Sequence, residues 1–175
     1  MTDTVAIRPC LPADSAALET LYAAAFPDED LLPLLRRLLH QQHGELCLVA
    51  VADGEPVGHI VFSTCRVTGC ADKAALLGPL AVAPTLQRRG IGGALVRAGL
   101  GRLKNDGVVR VFVLGDPAYY RRFGFAPESG VSTPYPIPEE WRSAWQFIDL
   151  VEGIGALEGG LAVPDPWRHQ ALWGP

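Results

Sequence analysis

Charged side chains are scarce in this sequence, and acidic residues outnumber basic ones. Only 19% of the 175 residues are charged, the formal net charge is −4, and 49% of the residues are hydrophobic. Intrinsically disordered chains usually combine high charge with few apolar residues, and proteins that bind nucleic acid are usually basic. The composition therefore indicates a folded protein without a nucleic-acid partner.

Long apolar runs are missing as well. No stretch approaches the roughly 18 consecutive apolar residues of a membrane-spanning helix. The first residues include Asp3 and Arg8 and contain no apolar core of a secretion signal. We therefore expect no membrane association and a cytoplasmic location.

The sequence contains four cysteines but none of the spacings that mark metal sites. Cys10, Cys47, Cys65 and Cys70 form no C-x-x-C pair and have no histidine at ligand spacing. Cys47 lies in an apolar run, where a cysteine usually acts as a small buried hydrophobic residue. We expect neither a metal ion nor a disulfide framework.

The length of the chain suits one domain, because 175 residues can bury one sizeable core but fall short of two ordinary domains. We predict a single domain over residues 1–175. Its core covers about 5–125, and a Pro- and Trp-rich C-terminal extension at 126–175 packs on the same domain.

Hydrophobic periodicity predicts an α+β sandwich. The elements expected in chain order are a strand at 5–9, helices at about 14–25 and 31–40, strands at 45–52, 57–65 and 73–82, a helix at about 92–105, a strand at 108–114, a short helix after 116, and a strand at 145–151. A turn at 53–56 makes the second and third strands an antiparallel hairpin. The long helix joins strands 73–82 and 108–114, so we expect these two strands to be parallel.

A glycine-rich loop lies between a predicted strand and a predicted helix. The apolar run Leu76–Val82 suits a buried strand, Pro84 ends it, and helical periodicity starts at Gly92. The loop carries Arg88 and Arg89 among glycines that lack a Cβ atom. Unpaired amide groups and a partial positive charge at a helix N-terminus bind phosphate well. The pattern therefore favours a diphosphate-binding loop over a turn that only packs.

Two common phosphate-binding motifs do not fit this loop. A P-loop needs lysine followed by serine or threonine, and the loop has neither pair. The dinucleotide fingerprint G-x-G-x-x-G fails because Leu95 stands at its last position. In addition, Arg110 lies about where that motif requires an acidic residue to bind the ribose.

The stretch Gln87-Arg88-Arg89-Gly90-Ile91-Gly92 resembles the Q/R-x-x-G-x-G/A signature of the GNAT superfamily of N-acetyltransferases. It follows Leu80-Ala81-Val82 on a strand, and the later segment Tyr119–Phe125 resembles the second marker of that family. The resemblance covers Val5 to about Phe125. It implies a small bacterial-type member with a mixed, mostly antiparallel central sheet, a parallel strand pair splayed at the acetyl-CoA site, and helices on both faces.

The resemblance also implies acetyl-CoA as the acetyl donor and assigns its binding residues. The pantetheine arm would pair with the backbone of the strand, and the diphosphate would lie on the loop. The implied binding residues are Leu80, Ala81, Val82, Gln87, Arg88, Arg89, Gly90, Ile91, Gly92 and Gly93. In the same scheme, the backbone N–H of Leu80 stabilises the oxyanion and Tyr120 is the general acid that protonates the departing thiolate.

The general base is where the sequence departs from the family pattern. Many members carry a glutamate before the glycine loop, and this sequence has Gly78-Pro79 there. The candidates are His59 on the preceding strand, Asp116, and the acidic residues 28–30. A water chain that relays the proton to bulk solvent is a further route.

The acceptor implied by the resemblance is a primary amine of a small molecule or a protein. An acidic pocket around Asp28, Glu29 and Asp30 would suit a cationic amine. Two other functions stay open: a non-catalytic acyl-CoA-binding sensor, and an interaction protein that docks a partner through an exposed tryptophan patch. The tryptophans of that patch would be Trp141, Trp145, Trp167 and Trp173. The oligomeric state is open too, a homodimer included.

Overall fold

The computed structural model describes residues 4–41 and 44–175. The chain divides into two compact units, each built from two segments. Unit 1 comprises Met1–Phe62 and Gly78–Gly99, and unit 2 comprises Ser63–Leu77 and Leu100–Pro175. The third and fourth strands and the long helix each contribute residues to both units. The expectation of a single domain stays a prediction.

Unit 1 contains the N-terminal strands, the first two helices and the glycine loop. Its elements are β1 (Ala6–Pro9), α1 (Ser15–Ala25), α2 (Leu32–His40), β2 (Glu45–Ala52), the first part of β3 (Glu55–Val67), the last part of β4 (Lys73–Val82) and most of α3 (Ile91–Asn105). The strand order is β1-β2-β3-β4. β1 and β2 are antiparallel, with Ala6 opposite Val51 and Pro9 opposite Leu48.

The hairpin between β2 and β3 is confirmed, and its turn has a clear chemical cause. Asp53 and Gly54 both have positive φ angles, of 51° and 80°. This is the backbone of the two-residue turns that match the twist of a hairpin, and aspartate followed by glycine tolerates it best. Because the turn takes only two residues, β3 begins at Glu55 and not at the predicted position 57.

Close packing of α3 on β3 in unit 1 depends on two glycines. A Cβ atom on Gly58 would lie 3.0 Å from side-chain carbons of Ile91 and Leu95, and a Cβ on Gly99 would lie 2.0 Å from the Phe62 ring. Larger residues at these positions would force the helix away from the strand. A second apolar cluster joins α1 and α2 to the strands; its buried members are Leu18, Leu21, Tyr22, Leu35, Val49 and Ala81.

Unit 2 contains the remaining strands. Its own elements are β5 (Val108–Leu114), α4 (Pro117–Tyr120), β6 (Ala126–Pro127), β7 (Val131–Ser132), β8 (Trp145–Asp149) and β9 (Gly159–Ala162). The order is β3-β4-β5-β8-β6, and β9 pairs with both β3 and β7. β4 and β5 are parallel from Lys73 to Leu77, as predicted, whereas β8 is antiparallel to β5.

The C-terminal extension packs within unit 2 through tryptophans. Trp145 stacks on Phe112 with ring centroids 5.4 Å apart, and the Nε1–H of Trp167 donates to Ser63 Oγ at 3.0 Å. Trp145, Trp167 and Trp173 are only 4%, 9% and 1% exposed. The predicted docking patch of four exposed tryptophans is therefore wrong, because three of the four are buried in the core.

A buried arginine completes this unit. Arg110, in the middle of apolar β5, is 2% exposed and makes a bidentate contact to Asp149 at 2.6 and 2.9 Å. It also donates to the carbonyl of Gly155 at 2.8 Å, reaches Glu128 at 3.5 Å, and lies 4.2 Å from the centroid of the Phe147 ring. Its charge is thus paired and hydrogen-bonded, as burial requires.

Within the described residues, no helix has the length and apolar character needed to cross a membrane.

Candidate functional site

The glycine loop leads directly into α3, and Gly90 is exposed at the junction, whereas Ile91 and Gly92 are buried. Gly90 has a φ of +84°, and no heavy atom lies within 4 Å of the position that its Cβ would occupy. The first hydrogen bond of the helix runs from the amide of Ala94 to the carbonyl of Gly90. The amides of Ile91, Gly92 and Gly93 precede that bond, so the helix itself does not use them.

Positive charge surrounds this helix N-terminus. Arg88 and Arg89 are exposed, and neither forms an ion pair with any residue that the structure describes. Arg88 also has a positive φ of 63°. Gln87 donates through Nε2 to the carbonyl of Val82 at 3.1 Å, which ties the loop to the end of β4. The unused amides, and two guanidinium groups without an ion pair among the described residues, form an arrangement that suits a diphosphate group.

β4, the strand before the loop, stops pairing with β5 before it reaches the predicted binding residues. The parallel register of β4 with β5 ends at Leu77, opposite Val113. Leu80 and Val82 are partly exposed, whereas Ala81 is buried. The Leu80–Val82 segment thus lies beyond the last paired residue of that register.

Tyr120 lies in unit 2, at the end of the short helix α4. The Asp116 carboxylate accepts a hydrogen bond from the amide of Ala118 at 2.9 Å and thereby caps this helix. The Tyr120 ring is 9% exposed and contacts the rings of Tyr119 and Phe125 at 5.0 and 5.6 Å. Burial, and secondarily the charges of Tyr119 and Asp116, hold the pKa of Tyr120 well above its usual range. The phenol therefore stays protonated at neutral pH.

His59 lies deep inside unit 1. It is 0% exposed, its Nδ1 is 2.6 Å from the Tyr22 hydroxyl, and its Nε2 is 3.0 Å from Cys47 Sγ. Burial lowers the pKa of His59 to about 3. Because both ring nitrogens are engaged and the imidazole is a weak proton acceptor, these observations favour a structural role over the predicted base.

Cys10 and Cys47 form a disulfide, so the expectation of no disulfide was wrong. The cysteines are 37 residues apart in sequence, but the antiparallel pairing of β1 with β2 continues to them, and the amide of Cys10 donates to the carbonyl of Cys47. Cys47 is therefore a half-buried, bonded residue rather than a free buried one. Cys65 and Cys70 are free thiols, and burial raises the pKa of Cys65 to about 12.

The disulfide fixes the tautomer of His59. A disulfide sulfur carries no hydrogen and can only accept, so in this contact Nε2 carries the ring proton. Nδ1 is then the acceptor, and the Tyr22 hydroxyl donates to it. No local sequence pattern predicts this contact, because Tyr22 and His59 are 37 positions apart.

A cavity of about 400 Å³ lies in unit 1 at the end of α1. Its apolar wall includes Tyr22 and Phe26, and the acidic residues 28–30 line it as well. These three acidic side chains are exposed. The structure therefore brings the predicted acidic cluster to the edge of a concave site.

The family model described as "Acetyltransferase (GNAT) family" matches residues 15–125. The chain belongs to the GNAT acetyltransferase family. The match spans both the glycine loop and the Tyr119–Phe125 marker, so the resemblance found in the sequence is confirmed. The general reaction of this GNAT protein is acyl transfer.

Two curated relatives cover nearly the whole chain. The uncharacterized N-acetyltransferase YjhQ of Escherichia coli strain K12 is 35% identical over 167 residues, which are 91% of this chain and 92% of YjhQ. The uncharacterized N-acetyltransferase YhbS of the same strain is 34% identical over 166 residues, 93% of this chain and 96% of YhbS.

Solved structures confirm the GNAT fold, with its mixed sheet, parallel strand pair and flanking helices. The crystal structure of E. coli YhbS in complex with CoA has a TM-score of 0.86 at 28% identity and covers 97% of this chain and 96% of its own. A GNAT acetyltransferase from Brucella melitensis in complex with acetyl-CoA has a TM-score of 0.76 at 30% identity and covers 94% and 98%.

Proposed function

We propose that this GNAT protein transfers the acetyl group of acetyl-CoA to a primary amine by direct attack of the amine on the thioester. The observation that carries the proposal is the glycine loop at the N-terminus of α3, with its exposed Gly90 and two arginines that form no ion pair with the described residues. The CoA and acetyl-CoA complexes of the two similar structures support the choice of donor.

Donor binding rests on the loop and on β4. The amides of Gly90–Gly93 donate hydrogen bonds to the diphosphate oxygens, and Arg88 and Arg89 neutralise their charge. The main chain of Leu80–Val82 pairs with the amide groups of the pantetheine arm. The N–H of Leu80 then points at the thioester carbonyl and stabilises the oxyanion that forms there.

The chemical step exchanges one bond for another. The amine nitrogen forms a bond to the acetyl carbon, and the carbon–sulfur bond breaks. The thiolate takes the phenolic proton of Tyr120, because a phenol is protonated at neutral pH. The phenolate then regains a proton from solvent before the next turnover. The proton lost by the amine leaves through water at the solvent-exposed rim of the acidic cavity.

The acidic cavity is the proposed acceptor site, and it selects a cationic amine. Asp28, Glu29 and Asp30 attract the ammonium form, while Tyr22 and Phe26 contact its hydrocarbon part. Only about one lysine-like amine in a few thousand is neutral at pH 7, which is a handicap of roughly 4.6 kcal/mol. The carboxylates stabilise the ammonium form and so strengthen substrate binding, but they do not reduce this handicap, and the ammonium must lose its proton to water before it attacks.

The first test is calorimetric titration with acetyl-CoA, with NADH and ATP as controls. We expect 1:1 binding of acetyl-CoA alone, weakened about 10- to 150-fold by Arg88→Ala, since a hydrogen bond to a charged group is worth about 1.5–3 kcal/mol. Combining Arg88→Ala with Gly92→Glu should abolish binding. Arg142→Ala, which removes an exposed arginine outside the loop, is the matched control and should bind normally.

Turnover separates the enzyme from a non-catalytic acyl-CoA sensor, the alternative favoured by Gly78-Pro79 at the usual glutamate position. Thiol release is measured with a panel of cationic and neutral amines. An enzyme releases thiol in proportion to product; tight binding of acetyl-CoA without release for any amine would support the sensor. Failure of acetyl-CoA to bind would refute both functions.

The acceptor assignment has its own test. Replacing residues 28–30 by the corresponding amides should raise the KM for a cationic amine and leave the acetyl-CoA dissociation constant unchanged. Glu139→Gln and Glu140→Gln are matched controls on an exposed turn of unit 2. An unchanged amine KM in the amide variant would contradict the acceptor assignment while leaving the donor site intact.

A further inference from the structure

A cluster of three metal-ligating side chains lies in unit 1, where β1, β2 and β3 are neighbours. It consists of Cys10, Cys47 and His59 and is called here the thiol–imidazole cluster. The two sulfurs and one imidazole nitrogen lie within 4.8 Å of one another. Nothing in the proposed acetyl transfer uses these atoms.

We propose that the reduced form of the thiol–imidazole cluster binds one Zn²⁺ ion through both thiolates and Nε2 of His59. Two sulfurs and one imidazole nitrogen form a donor set that Zn²⁺ prefers, with a water molecule as the fourth ligand. The cysteines are half-buried, so solvent reaches the ion from their side. The same three side chains thus form a disulfide when oxidised and a zinc site when reduced.

The geometry requires side-chain movement only. Tetrahedral zinc places its sulfur ligands about 3.8 Å apart and a sulfur and nitrogen about 3.6 Å apart. The Cα atoms of Cys10 and Cys47 are 5.5 Å apart, and Cys47 Sγ already lies 3.0 Å from His59 Nε2. Once the disulfide opens, rotation of the two cysteines brings all three atoms to these separations.

A dithiol reductant supplies what is needed to convert the disulfide form of the cluster into the zinc-binding form. The reductant gives two electrons and two protons to the disulfide, which becomes two thiols, while the reductant is oxidised to its own disulfide. Zinc then binds both sulfurs as thiolates and releases their two protons to solvent. No further reactant is needed.

A second layer of contacts orients the histidine. When Nε2 coordinates the ion, the ring proton must lie on Nδ1, which then donates to the Tyr22 hydroxyl 2.6 Å away. Histidine ligands of zinc usually donate their second N–H to an oxygen in this way, and the contact holds the ring in place. Both the ring and the Tyr22 side chain are fully buried, so the position of Nε2 is fixed before the ion arrives.

The test compares the reduced and oxidised forms of the full chain. The reduced form is prepared with dithiothreitol, desalted without oxygen and titrated with Co²⁺, whose absorption reports thiolate coordination; Zn²⁺ then displaces it. We expect one ion per reduced chain, thiolate-to-cobalt charge transfer with tetrahedral ligand-field bands, and no such bands in the oxidised form. Hydrogen peroxide should release the bound zinc.

Variants identify the ligands. Cys10→Ser, Cys47→Ser and His59→Gln should each weaken Co²⁺ binding by more than about 100-fold, since loss of an outer contact alone costs about 10- to 100-fold. Tyr22→Phe tests that outer contact and should cost about 10-fold or more. Cys70→Ser, which removes a free and partly exposed thiol, is the matched control and should bind normally.

Three results would overturn the proposal. They are equal Co²⁺ binding by the reduced and oxidised chains, unchanged binding by the folded Cys47→Ser variant, and loss of binding in Cys70→Ser. Circular dichroism confirms folding, and the isosteric serine variants decide the result if His59→Gln does not fold. The readout is metal coordination, so the outcome does not depend on acetyltransferase activity.

Discussion

Gly115 holds the space in which the Tyr120 ring sits, and a single methyl group should therefore disturb the proposed proton donor. A Cβ atom at Gly115 would lie 2.5 Å from Cε2 of Tyr120. Carbon atoms in contact are about 3.5–4.0 Å apart, so the ring in Gly115→Ala must withdraw by about 1 Å. A displacement of this size at a reacting group can lower kcat about 100-fold.

The assay measures thiol release under saturating acetyl-CoA, with the acetyl-CoA dissociation constant measured separately. We expect a lower kcat for Gly115→Ala, an unchanged dissociation constant, and a stability loss of about 1–3 kcal/mol from overpacking. Gly101→Ala is the control, because no heavy atom lies within 4 Å of the position that its new Cβ would take.

A double mutant shows whether the effect passes through Tyr120. Tyr120→Phe alone should lower kcat about 10²- to 10⁴-fold by removing the proton donor. If Gly115→Ala acts by displacing that donor, the double variant should match Tyr120→Phe within about 2-fold. Two independent, multiplying losses would refute the reasoning, as would a folded Gly115→Ala enzyme with normal kcat.

Three further predictions concern stability. Gly101→Ala, inside α3 and free of steric conflict, should raise the free energy of unfolding by about 0.5–1 kcal/mol in urea denaturation. Arg110→Met leaves two carboxylates unpaired and should cost about 3–5 kcal/mol, much of it recovered by adding Glu128→Gln and Asp149→Asn; no recovery would contradict the charge argument. Burial raises the pKa of Glu45 from 4.5 to about 7, so the folded chain binds a proton at this carboxyl more tightly than the unfolded chain does. The contribution of Glu45 to the free energy of unfolding is therefore fully present below pH 4.5 and is lost as the pH rises through 7. Melting temperatures across this range should fall more for the native chain than for Glu45→Gln.

Local sequence was sufficient for the elements whose signals are local. The periodicity of α2, the Asp53-Gly54 turn and the apolar run of β5 are each encoded within a few residues, and the structure has all three. The strand–loop–helix order around the glycine loop belongs to the same class, because its signals lie in one short contiguous segment.

Contacts that involve the C-terminal extension or the first strand were not predicted. β9 has four residues, two of them glycine, and gains its extended form by pairing with Arg66 and Val67, more than 90 positions earlier. Arg110 stands in an apolar strand, and its carboxylate partners Glu128 and Asp149 come from the distant C-terminal extension. The disulfide depended on a strand register that only the folded β1–β2 pair defines.

Tyr22 connects the thiol–imidazole cluster to the acidic cavity, since its hydroxyl contacts His59 and the residue also lines the cavity. With the disulfide formed, this hydroxyl donates to Nδ1; with zinc bound it accepts from Nδ1, and its own proton is free for another acceptor. If both proposals hold, zinc loading should change the KM for the amine and leave the acetyl-CoA dissociation constant unchanged. Tyr22→Phe should remove this difference between the two forms. A difference that persists in Tyr22→Phe would show that the coupling does not pass through the hydroxyl.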